Sequence, residues 1–161
     1  MSKTTTTDLN LVDDMNEIDI VEAIKQYADA YSRLGQAKSQ YSEILKWGRE
    51  FPAAPLPEYV ERGTPRECFQ NCLNIADDAN LIYCEGFAIR PSLGMLIHHA
   101  WCIDPDTEEV VDPTWERPEE CKYFGIDLQM SWMINHEYTG MGLEQFLIEK
   151  DKEEQEKEHQ D

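Results

Sequence analysis

The chain has 161 residues, enough for one domain with a real hydrophobic core. Lys and Arg together number 14 against 33 Asp and Glu, and a net charge of -19 repels nucleic-acid phosphates and anionic lipid surfaces, so neither is expected as a partner. Five cysteines, no basic-then-apolar leader pattern and no long apolar span point to a cytoplasmic protein whose thiols stay reduced, without a disulfide framework.

The threonine-rich opening, residues 1–15, has no periodicity and is expected to be disordered. From about Asn16 the apolar positions Ile20, Ile24, Tyr27, Tyr31 and Leu34 recur at helical spacing, and Ala37, Tyr41, Ile44 and Leu45 continue past Gly35. This predicts one long amphipathic helix or a helix pair. "FPAAPLPEYV", with three prolines in six residues, is expected to run extended over the surface. In "GTPRECFQNC" Thr64 is a good N-cap, Pro65 suits the first helical position, and Glu67 completes a capping box, which puts Cys68 in the first turn of a helix. "NLIYCEGFAIR", "MLIHHAWCI", "EVVDPTW" and "KYFGIDL" read as strands, and a helix is expected around Leu143 to Lys150. Residues 16–150 make a single α+β domain, and the nearly all-charged 151–161 is a solvated tail or a frayed helix end.

The chemistry concentrates in "HHAWCIDPDTEEVVDPTW". With Asp104 and Pro105 opening a type I turn, Asp104 pairs with Thr107, and counting outward sets His99 across from Asp112. Directly opposed residues hold their Cβ atoms roughly 4.5 to 5.5 Å apart, close enough for a carboxylate to accept an imidazole N–H. A slip of one residue would turn Asp112 to the other face, and a bulge at Glu108 is an alternative. His98 faces away from Asp112 in this register and reads as a satisfied core histidine. A thiol in the first turn of a helix feels the positive end of the helix dipole, and a neighbouring imidazolium strengthens the effect, so Cys68, His99 and Asp112 can serve as nucleophile, base and orienter. Cys72, one turn on, is expected to pack inward. Trp101, Trp115, Phe87 and Tyr123 read as core, with one of the tryptophans an alternative wall for an acyl pocket.

A cysteine opening a helix ("ECFQNC"), a Gly-aromatic-small strand element ("CEGFA"), His-x-Trp ("HAW") and a strand ending in Asp-Pro-Thr ("VVDPTW") together resemble the transglutaminase-like branch of the papain-fold cysteine enzymes, over about residues 64 to 126. The resemblance implies a nucleophile helix packed on an antiparallel sheet, Cys68 as nucleophile, His99 as general base and acid, Asp112 as orienter, and a structural role for Gly86. It implies no cofactor, and a protein or peptide-like amide as substrate. Many members carry Gly or Trp beside the cysteine, where this chain has Arg66, Glu67 and Phe69, so no particular substrate follows. Gln36, Gln40 and Tyr59 are oxyanion-hole candidates by residue type only.

Thiol-based acyl chemistry is the expected function: hydrolysis of an amide, peptide or isopeptide bond through a Cys68 thioester. The rival is a catalytically inactive papain-fold protein that binds or regulates a protein partner. A zinc site drawn from His98, His99, Cys68, Cys72, Cys84 and Cys102 lacks Cys-x-x-Cys or His-x-x-x-His spacing. "DPDTEE" lacks the sixth-position Gly and twelfth-position Glu of a calcium loop.

Overall fold

Five antiparallel strands and four helices carry the fold in the computed structural model, which describes residues 19–128, 133 and 142–159. In chain order these described elements are α1 (Ile20–Arg33), α2 (Gln40–Trp47), β1 (Arg49–Phe51), α3 (Cys68–Asp78), β2 (Ile82–Ile89), β3 (Leu96–Ile103), β4 (Val110–Val111), a 3-10 turn (Pro118–Glu120), β5 (Lys122–Leu128) and α4 (Leu143–His159). The class is α+β, as expected. The stretch 1–15, expected to be disordered, lies outside the described residues.

The N-terminal periodicity resolves into a helix pair. Asp19 caps α1 by accepting from the Val21 N–H, and Gly35, at φ +89°, turns the chain where a side chain would be strained. A reciprocal Ser39–Ser42 capping box starts α2. Tyr27 and Tyr31 of α1 pack on Tyr41 of α2 at ring separations of 5.1 and 5.2 Å, and Tyr41 stacks on Phe87 of β2 at 4.8 Å. The pair is thereby fixed to the sheet.

Strand order is β1-β5-β2-β3-β4. Along β2 the large Tyr83, Phe87 and Ile89 point to the helix-covered side, while Cys84 and Ala88 point to the other. Small side chains on one face let a sheet bend toward it. The bend runs far: beyond β1 the Pro52 carbonyl accepts from the Val110 N–H of β4 at 2.9 Å, and Arg49 of β1 reaches both Glu108 and Asp127. The two edge strands therefore meet, and the concave side encloses Phe51, Trp101, Ile103, Val110, Trp115 and Tyr123. Gly86 and Gly125 face each other across β2 and β5, and a Cβ on either would strike the neighbouring strand's backbone. Gly86 also lies directly opposite His99 on β3.

The sequence misses β1, a three-residue strand just before the proline-rich run. It also overstates β4, which ends at Val111, because Pro113 has no N–H to donate and the Asp112 side chain takes up the N–H groups of Thr114 and Trp115. At the C-terminus α4 continues through Asp151 to His159, and the buried Asp151 carboxylate accepts from Lys38 and from Lys46 of α2. None of the described helices is long and apolar enough to cross a membrane.

Candidate active site

The His99–Asp112 pair forms, though by another register than the turn count predicts. Ile103 pairs with Val110 and Cys102 with Val111, and the Asp104 N–H donates to the Glu109 carbonyl, so the connection is two residues longer than a tight DPDT turn. Glu108, at φ +62°, absorbs the extra length, and the Asp104 carboxylate holds the loop by accepting from the N–H groups of Asp106 and Thr107. A shift of two preserves the face. Asp112 leaves the ladder just past Val111, and its Oδ2 meets His99 Nε2 at 2.9 Å.

Asp112 is fully buried and its acceptor capacity is filled. Oδ2 also accepts from the Tyr123 hydroxyl at 2.8 Å, and Oδ1 accepts from the N–H groups of Thr114 at 2.9 Å and Trp115 at 3.4 Å. Trp115 then lies flat on the imidazole, rings 3.8 Å apart and 10° from parallel. Burial of His99 disfavours its cation, but the charge and hydrogen bond of Asp112, reinforced by Cys68, outweigh it and raise the pKa from 6.5 to about 9. His99 therefore carries a proton at neutral pH.

Cys68 arrives by a different helix start from the one the sequence predicts. The Thr64 capping box does not form: Glu67 is the N-cap, without a side-chain bond, and Cys68 is the first residue of α3. The reason lies in Arg66, at φ +69°, which bends the chain out of helix between Pro65 and Cys68. Thr64 is instead held by the buried Asn71 amide, whose Oδ1 accepts from the Thr64 N–H and whose Nδ2 donates to the Thr64 carbonyl and to Thr114 Oγ1. A further bond, Gly63 N–H to the Pro113 carbonyl at 2.8 Å, fastens the segment before α3 to the loop after Asp112. The helix carrying the thiol and the loop carrying the carboxylate are thus tied directly. With Nε2 engaged by Asp112, Nδ1 is the imidazole nitrogen left for a thiol, and Cys68 lies near enough to His99 to add to the rise of its pKa.

His98 occupies the opposite face and pairs with the buried Glu85 carboxylate, Nε2 to Oε1 2.9 Å, which also accepts from the Tyr83 hydroxyl. Two imidazole–carboxylate pairs therefore lie back to back across β3, and Cys68 acts on that of His99. Among the remaining cysteines, burial pushes Cys72 and Cys84 well above the ordinary thiol value, and burial with the Asp112 charge pushes Cys121 up to about 12. Among the described residues no group of three or more His, Cys, Asp or Glu is placed to hold a metal ion. Tyr59 is exposed. Sequence reading missed Asn71, and it took Tyr123 for core alone. Tyr123 is core, yet its hydroxyl is spent on Asp112. A buried tyrosine needs a hydrogen-bond partner for its hydroxyl, which was the signal available.

Set against protein-family models, curated proteins and solved structures, the chain finds no significant match in any of the three.

Proposed function

We propose that the chain is a thiol-dependent acyl-transfer enzyme of the papain and transglutaminase-like kind, hydrolysing an amide, peptide or isopeptide bond. One observation carries the reading: a buried imidazole held by a fully buried carboxylate on one side and influenced by a helix-opening thiol on the other. A curled antiparallel sheet with the cysteine helix packed on it, and the order Cys, His, Asp along the chain, also fit that fold. The two adjacent tryptophans and Tyr123 keep water from the pair and strengthen its electrostatics.

In this mechanism Cys68 enters as thiolate beside protonated His99. Sulfur attacks the carbonyl carbon, the C–N bond breaks as His99 gives its proton to the departing amine, and a thioester remains. Neutral His99 then takes a proton from water as its oxygen attacks the thioester. The C–S bond then breaks, releasing the carboxylic acid and the Cys68 thiolate, and the proton taken from water leaves His99 protonated as at the start. Asp112 fixes the ring throughout. Backbone N–H groups at the start of α3 would donate to the developing oxyanion.

Intact-mass detection of an acyl adduct on the protein and on Cys68→Ala, across amide and isopeptide substrates, tests the proposal directly. An adduct on Cys68 alone supports it. Iodoacetamide at mild pH should label Cys68 far faster than the other four cysteines, and His99→Ala should slow that labelling. No adduct together with equal labelling rates favours the inactive binding protein.

A further inference from the structure

Around the rim of this site the charge of the molecule reverses. A cleft of about 420 Å³ is bounded by Pro65, Thr114 and Trp115 and carries Arg62, Arg90 and Arg117, three of the chain's six arginines. Two glutamates, Glu116 and Glu120, share its lining. The whole chain sums to -19, whereas arginines outnumber acidic residues in this lining. A concave surface with a local excess of guanidinium is therefore the reverse of what composition alone would place there.

The arginines are not used up by the fold. Arg90 lies over the Trp115 ring at 5.4 Å, and its buried Nε has no hydrogen-bond partner among the described residues. That nitrogen is packed away from solvent, so an anion in the cleft would meet the Arg90 guanidinium through its other nitrogens. Arg62 spends one nitrogen on the Glu116 carbonyl at 2.9 Å, and Arg117 has a loose contact with Glu120 at 3.7 Å, its side chain largely exposed. Planar forks of N–H donors match the oxygens of carboxylate and phosphate. The wall they share with the catalytic candidates is Trp115, the ring stacked on His99, and Pro65 stands three residues before Cys68.

We propose that this cleft binds an anionic oxygen group, a carboxylate or phosphate, with Arg90 as its central donor. That the group belongs to the acyl substrate, bound beside Cys68, rests on the acyl-transfer reading; the binding itself does not.

The test is equilibrium binding of glutarate and of inorganic phosphate to the full chain, by calorimetry and tryptophan emission at low salt. Saturable binding of at least one is expected, and which one binds identifies the group. Arg90→Gln should weaken it about tenfold, Arg117→Gln should weaken it less, and Arg33→Gln, remote from the cleft, should leave it unchanged. Should Arg90→Gln fail to fold, Arg62→Gln supplies the same comparison. Cys68→Ala should bind as well as the unaltered protein, and anion binding by the unaltered protein with no acyl adduct on Cys68 from any substrate sinks the catalytic reading and spares this one. No saturable binding of either anion, or binding indifferent to both Arg90→Gln and Arg62→Gln, overturns the inference.

Discussion

Replacing Asp112 by Asn probes the site where its energetics can be followed. His99 has a pKa of about 9 in the folded protein against 6.5 for a free imidazole. A group whose pKa is raised by folding contributes stability that is fully present below about pH 6.5 and lost as pH rises through about 9. The full contribution is about 3 kcal/mol, since each pKa unit is worth about 1.4 kcal/mol. Between about pH 6.5 and about pH 8.5 the wild-type protein should lose about 2 kcal/mol of it. Asn at 112 keeps the shape and an acceptor for the Thr114 and Trp115 N–H groups, but it withdraws the charge that outweighs burial. The ring is then neutral when folded, and this source of pH dependence disappears. Urea unfolding at three pH values across the window gives both curves, and their difference cancels the groups common to the two proteins. His99→Gln should match Asp112→Asn. Equal slopes in wild type and Asp112→Asn would show that Asp112 does not hold the proton, and the orienting role assigned to it would fall.

Tyr123→Phe removes a buried donor to the carboxylate oxygen that His99 uses, and should cost about 2 kcal/mol in unfolding experiments. Because the carboxylate then leans more on the imidazole, the NMR titration of His99 should move upward in this variant, the opposite of Asp112→Asn. Gly125→Ala sets a methyl against the Glu85 carbonyl and the Trp101 ring where β2 and β5 meet, and should lower stability by about 2 to 3 kcal/mol. Asp151→Asn should speed amide exchange in α4 at neutral pH. Hydrogen bonds from Lys38 and Lys46 hold Asp151 below the usual carboxylate range, so in the wild type protection should persist through mild acid and be lost as pH falls through that lowered value.

Strand patterning made the long strands legible: "KYFGIDL" is β5 to the residue, and "MLIHHAWCI" contains β3, which starts one residue later at Leu96. Both faces of these strands are buried, so their signal is a dense run of apolar, β-branched and aromatic residues as much as alternation. Local hydrogen-bond chemistry was less legible, because several arrangements satisfy the same residues. Thr64-Pro65-x-Glu67 has every mark of a capping box, yet Asn71 offers Thr64 both a donor and an acceptor, and a positive φ at Arg66 moves the helix start to Cys68. Strand β1 was invisible because three residues carry too little pattern, and its pairing with β5 is a property of the curled sheet. The arginine cleft depends on residues 62, 90 and 117, which only tertiary structure brings together.

The mistaken hairpin register explains why the site itself could still be read. A strand repeats its facing every two residues, so lengthening the DPDT loop by two left Asp112 on the face of His99 and moved it along the ladder past Val111. Outside the ladder its backbone is free of strand pairing, and the carboxylate can take two loop N–H groups on one oxygen while the other meets the imidazole and Tyr123. A directly opposed aspartate in a continuing strand would have had its neighbours' N–H groups committed to β3. The extra residues, accommodated by Glu108 at positive φ, let the strand end at the residue before Asp112. That break yields a rigid, fully satisfied carboxylate behind His99, and through Thr114 and Asn71 it anchors the helix on which Cys68 sits.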